Sequence, residues 1–143
     1  MNTTASTTRT AERNEFLTDV LICAVENMGY GWFIVDEYRP FEADGASYAL
    51  ITEDEEDIQH RLDLDLIVKG IAVIEAAVLA DFPAGERVDR VLANAETGER
   101  LYLDERSRDL ILDADWHNDA SEIDVVLALA IVECGLFGQV RYA

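Results

Sequence analysis

The stretch that decides the fold is DASEIDVVLALAIVEC, Asp119 to Cys134. Asp119 followed three residues later by Glu122 has the form of an N-terminal capping box, in which a short side chain accepts from the first turn's backbone N–H groups and the Glu reaches back. The run Ile123 to Cys134 behind it is apolar nearly all round, the pattern of a helix surrounded by protein on every side. Asp124 and Glu133 interrupt it, and it falls short of the roughly 20 apolar residues needed to cross a bilayer. A central buried helix is therefore predicted, stopped by Gly135 and Gly138. The rest of the chain must supply the layers that cover it.

Working outward, Phe137 to Tyr142 reads as a short extended segment able to add to a sheet. Just before the buried helix, Leu103 to Trp116 sets Leu103, Leu110, Ile111 and Ala114 on one side of a helix and Glu105, Asp109 and Asp113 on the other, which predicts a wet acidic face. Phe82 to Gly98, with Pro83, Gly85 and Gly98, reads mainly as a loop with a short strand or helix at Arg87 to Asn94. Leu66, Ile67, Val68, Ile71, Ala72, Ile74, Ala77, Val78 and Leu79 predict a long helix opened by Asp63 or Asp65. Its wider setting, Leu62 to Ala80, carries Asp63, Asp65, Lys69 and Glu75, so it is no membrane span either.

Toward the N-terminus, Leu17, Val20, Leu21, Ala24 and Met28 recur at three- and four-residue spacing and predict an amphipathic helix over Ala11 to Met28, ending at Gly29. Tyr30 to Tyr38 and Ser47 to Thr52 are rich in aromatic and β-branched residues and read as paired antiparallel strands, joined over Arg39 to Gly45. The fold expected is a single α+β domain over residues 11–143, a small antiparallel sheet packed by about four helices. Met1 to Thr10 is polar, lacks the pattern of a secretory or transit signal, and is expected to be a disordered tail of a cytoplasmic protein. Cys23 and Cys134 sit in apolar periodic segments and read as reduced core thiols.

Of the 143 residues, thirty are Asp or Glu and eleven Lys or Arg, a net charge of −19. That balance excludes direct binding to nucleic acid or to an anionic membrane, both of which demand a basic surface. Ten of the eleven basic residues are Arg, and only Lys69 is Lys. A GC-rich genome or a high-salt cytoplasm would produce the same bias, so one reading of the acidity is habitat adaptation of a structural or regulatory domain.

With the segments laid out, the chain resembles a family of small, largely uncharacterised proteins of actinobacteria, haloarchaea and their phages and mobile elements. The resemblance rests on Glu26, Gly29, Tyr30, Gly31 and Trp32, on the acidic helix entry Asp63 to Gly70, and on Asp119, Ala120 and Asp124 followed by Gly135, Leu136, Phe137, Gly138 and Val140 to Tyr142. Asn27 and Met28 stand where that pattern has Gly, and Ala143 where it ends in Gly. The likeness spans Leu17 to Ala143. It implies an α+β fold and a mobile-element setting, and it carries no activity or catalytic residues.

Asp113, Asp115, His117, Asp119, Ser121 and Asp124 imitate the ligand spacing of a calcium loop, but His117 takes a ligand position, Asn118 replaces the turn glycine and Asp124 is shorter than the usual bidentate Glu. No metal or other cofactor is expected. His60 and His117 lack partners at zinc or nucleophile spacing, and no phosphate loop or nucleophile elbow is present, so a divalent-cation-dependent enzyme is the least favoured class. The sharper reading uses charge geometry. Glu105, Asp109 and Asp113 recur every four residues, about 6 Å apart on a helix, against about 3.4 Å of axial rise between phosphates of one DNA strand plus the winding. Together with Glu53, Asp54, Glu55, Glu56 and Asp57 they would act as phosphate surrogates. The expected partner is a basic host protein, a nuclease, restriction or CRISPR component, blocked by a non-catalytic DNA mimic.

Overall fold

A computed structural model describes residues 9–26 and 32–142. Four helices and two antiparallel sheets form an α+β domain around one hydrophobic cluster. The first helix, α1 (Ala11–Val25), starts where the Thr10 hydroxyl accepts from Arg13 N–H at 3.0 Å, and it buries Phe16, Leu17, Val20, Leu21, Ala24 and Val25. Thr10 therefore belongs to the fold, as does Arg9, whose guanidinium pairs with Asp65. The remainder of the expected tail, residues 1–8, lies outside the described residues, as do Asn27 to Gly31 and Ala143.

The first sheet is β1 (Phe33–Arg39), β2 (Tyr48–Glu53) and β3 (Gln59–Asp63), in that order and antiparallel. Its third strand is a correction to the sequence reading. Gln-His-Arg-Leu-Asp buries only Leu62, so its composition resembles a loop, and it is strand because it pairs along the second edge of β2. Asp63 then accepts from Leu66 N–H and opens α2 (Leu64–Ala76).

Helix α2 stops three residues short of the predicted Leu79. Ala77 turns extended, at ψ 142°, and the chain enters a hairpin of β4 (Val78–Ala84) and β5 (Arg87–Ala93) where mainly a loop was expected. Val78 and Leu79 continue the apolar run of the helix without a break, so hydrophobic periodicity could not mark the boundary. Gly85, at φ +67°, makes the tight turn.

Helix α3 (Glu105–His117) is capped by Asp104, which accepts from Ser107 N–H at 2.7 Å. It buries Ile111 and Ala114, while Leu110 is exposed and Leu103 precedes the helix. Asp119 caps only a 3-10 turn, Ala120–Glu122; the buried helix α4 (Val125–Phe137) is opened by Asp124, whose carboxylate accepts from Leu127 N–H. From Leu127 to Gly135 every residue of α4 is buried. Gly135 lies inside the helix and does not end it: a Cβ there would stand 2.8 Å from the Leu66 carbonyl oxygen. Helices α2 and α4 thus cross at backbone contact, and Gly138, at φ +76°, supplies the actual C-cap. The segment Val140 to Tyr142 joins neither sheet; Val140 N–H donates to the Leu101 carbonyl instead.

Candidate protein-docking surface

Helix α3 lies against α2 and the 3-10 turn, and specific bonds fix which face it shows. Arg108 donates to the carbonyls of Ala77 and Glu75, and Arg13 pairs with Asp115 at the other end. With those contacts and Ile111 on the inner side, Glu105, Asp109 and Asp113 are all exposed. The next position on the same face is Trp116, 83 % exposed. Among the described residues no cation pairs with Glu105 or Asp109, and Asp113 meets only the His117 ring at 3.4 Å. Glu105 also lies in the first helical turn, where the helix dipole favours an anion.

The second acidic group divides. Asp54, Glu55, Glu56 and Asp57 are exposed on the turn joining β2 to β3. Glu53 does not belong with them: it is the last residue of β2, opposite Phe33, and only 1 % exposed. It cannot act as a surface phosphate surrogate, because both its oxygens are engaged inside the protein. The turn is tied to Trp32 through Asp54 N–H, whereas α3 is tied to α2, so the two acidic patches belong to different elements.

What holds Glu53 is a buried polar cluster that the sequence reading missed. Its carboxylate accepts from the Tyr142 hydroxyl at 2.6 Å on one oxygen and meets His60 Nε2 at 2.7 Å on the other, with the Arg141 guanidinium at 3.6 Å. Hydrogen bonds from Tyr142 and His60 hold the Glu53 carboxyl below its ordinary value. Glu133, on α4, accepts from the backbone N–H groups of Arg141 and Tyr142 and from the Trp32 indole. Burial outweighs these bonds and raises its pKa. Trp32 and Tyr142 stack with centroids 4.7 Å apart, and Arg141 lies over the Phe137 ring. The two glutamates thereby clamp the chain's last described residues onto the sheet and α4. The signal was present in β2, where alternation buries Ala49, Ile51 and Glu53 together.

The other chemistry weighed in the sequence falls into structural positions. Asp113 and Asp115 lie within α3, Asp115 on Arg13, while Asp119 and Asp124 are caps. Among the described residues no group of three or more His, Cys, Asp or Glu is placed to hold a metal ion. Cys23 and Cys134 form no disulfide, and burial together with the neighbouring Glu133 pushes the Cys134 thiol up to about 12, far from a reactive thiolate. No helix among the described residues is long and apolar enough to cross a membrane.

Fold and surface together define a small α+β domain that displays carboxylates and an exposed tryptophan on one helix. The chain matches no family model, and no curated protein or solved structure is similar to it.

Proposed function

We propose that the protein is a non-catalytic, acidic binding protein of a phage or mobile element, one that occupies the basic groove of a host nuclease, restriction or CRISPR component in place of DNA. The observation that carries this reading is the exposed stripe Glu105, Asp109 and Asp113, ending in the exposed Trp116 on a rigidly anchored helix. Exposed carboxylates about 6 Å apart, met by no Lys or Arg among the described residues, offer a basic groove fixed charges of the kind a nucleic acid strand supplies. Trp is among the residues most enriched at binding hot spots, because a large rigid ring fills a partner pocket at little entropic cost. Asp54 to Asp57 add a second acidic group; Glu53 contributes to the fold instead. The mobile-element setting rests on the family resemblance. Charge of one sign steers association and makes it salt-sensitive.

The test is affinity capture of the tagged protein from a host lysate, repeated with competing duplex DNA. A captured DNA-handling protein that duplex DNA displaces is the expected result. Reversing Glu105, Asp109 and Asp113 to Lys should abolish that capture while circular dichroism stays native, and the Trp116→Ala variant should weaken it by about 2 kcal/mol or more. A partner held equally well by the reversed protein, or indifferent to DNA, would sink the assignment.

The prevalence of Arg among the basic residues favours a second reading, in which the acidity is habitat chemistry of a structural or regulatory domain. Housekeeping proteins of the same source that are equally acidic and equally poor in Lys would support it.

A further inference from the structure

The β4–β5 hairpin is a two-stranded ribbon with two edges, and the edges differ. In an antiparallel ladder residues alternate between directing their backbone groups at the partner strand and directing them away. The Leu92 carbonyl accepts from Leu101 N–H, on the side away from β4, so Arg90 and Val88, two and four residues earlier, also direct their N–H and C=O groups outward. Leu79, Asp81 and Pro83 stand opposite these three residues and face outward from β4. Pro83 has no N–H, so the β4 edge lacks a donor at the turn end of its row.

The β5 edge is covered only at one end. Arg100 bridges Ala93 and Leu101 bonds Leu92, and then Tyr102, in the left-handed region at φ +61°, turns the chain away. Beyond that point no described residue pairs with the edge over Arg87 to Val91, and a cleft of about 470 Å³ opens between Arg90 to Leu92 and the segment Arg100 to Glu105. Val88, an outward-directed residue of that edge, is 62 % exposed.

We propose that this edge pairs with the same edge of a second copy, joining two hairpins into a four-stranded sheet ordered β4-β5-β5-β4. The residues Glu86-Arg87-Val88-Asp89-Arg90 are self-complementary when two copies run antiparallel about Val88. Val88 then faces its own copy with both backbones directed at each other, exchanging two N–H···O bonds. Arg87 stands opposite Asp89 in both symmetric positions, and Glu86 opposite Arg90, beside the cleft that Arg90 and Arg100 line. Charges on an edge strand ordinarily discourage strand addition; here they match in one register, since a slip by two residues, the smallest that again sets outward-directed backbones face to face, puts Asp89 on Asp89 in one direction or Arg87 on Arg87 in the other. The hairpin Val78–Ala93 carries three carboxylates and two guanidiniums, so in a chain of net charge −19 it is a region of near-neutral balance where a second copy can approach. This inference stands apart from the acidic surface of α3 and requires none of its residues.

The experiment is sedimentation equilibrium of the full chain over a concentration series at about 0.15 M salt, where charges beyond about 8 Å are screened. A concentration-dependent dimer is expected. The Arg87→Asp variant and the Asp89→Arg variant each set like charges face to face at two symmetric positions and should weaken the dimer about tenfold. The double variant carrying both changes restores opposite charges and should recover it. All positions are on the hairpin surface, and far-UV circular dichroism checks that each variant is folded. A wild-type chain that remains monomeric to about 1 mM, single variants that dimerise like wild type, or a double variant no better than the singles would each overturn the proposal.

Discussion

Glu53 and Glu133 both hold Arg141 and Tyr142, and their carboxyls are shifted in opposite directions. The bonds from Tyr142 and His60 lower Glu53 from its ordinary 4.5, so the folded protein holds that proton less tightly than the unfolded chain. Its contribution to stability is present above pH 4.5 and is lost as pH falls through the folded value. Burial raises Glu133 from the same 4.5, so its ionisation works against the fold, and that cost grows as pH rises from 4.5 through the folded value. The Glu53→Gln variant should lose about 1–3 kcal/mol at pH 7, with the deficit shrinking below pH 4.5. The Glu133→Gln variant loses the acceptor for the Trp32 indole but removes the ionisation cost, so its stability relative to wild type should improve as pH is raised from 4.5. Urea unfolding across that pH series checks both; two variants whose deficits run parallel with pH would contradict the assigned shifts.

At the scale of elements, the tightest constraint is the crossing of α2 on α4. A Cβ on Gly70 would stand 2.0 Å from the Ile131 carbonyl oxygen, which is backbone and cannot swing aside. Alanine is the better helix former by about 1 kcal/mol, yet Gly70→Ala should destabilise by about 1–3 kcal/mol or more, because the helices must separate to admit one methyl group. Thermal unfolding of the variant is the measurement, and a rise in Tm would show that the helices do not touch there. This close approach also explains what was legible beforehand. The all-round apolarity of Ile123 to Cys134 located the central helix because burial on every side leaves its mark on every position. Its start was misplaced at Asp119 because Asp124 offers the same short carboxylate five residues on, and only backbone geometry distinguishes them. Strands β3 and β4 escaped notice, and β5 was placed only as a short strand or helix at Arg87 to Asn94, because pairing along an edge is non-local. Gln59 to Asp63 becomes strand through β2, and Val78 and Leu79 leave the helix to face Ala93 and Leu92. For the candidate surface, periodicity placed Glu105, Asp109 and Asp113 outward on α3 as observed. It failed at Glu53, where adjacency to four exposed acids hid a two-residue alternation that turns the side chain inward.

Across the whole molecule, a net charge of −19 on 143 residues sets a balance that salt can move in two directions at once. Like charges spread over a compact surface repel more strongly than in an expanded chain, so they oppose folding, and screening relieves them. Raising NaCl from about 10 mM, where the screening length is about 30 Å, to about 1 M, where it is about 3 Å, should therefore raise Tm. Under the DNA-replacing reading, the same salt series should weaken the captured complex, because attraction between α3 and a basic groove is screened by the same ions. Habitat acidity predicts the first effect without the second. The decisive comparison is the wild-type protein against the variant with Glu105, Asp109 and Asp113 reversed to Lys. Reversal takes six units from the net charge, so the variant's Tm should depend less on salt under either reading. Only if the stripe is the docking surface should its partner binding vanish at low salt too, where wild-type attraction is strongest. Binding that survives reversal and falls with salt along the wild-type curve would place the partner on other carboxylates, with Asp54 to Asp57 the next group to reverse.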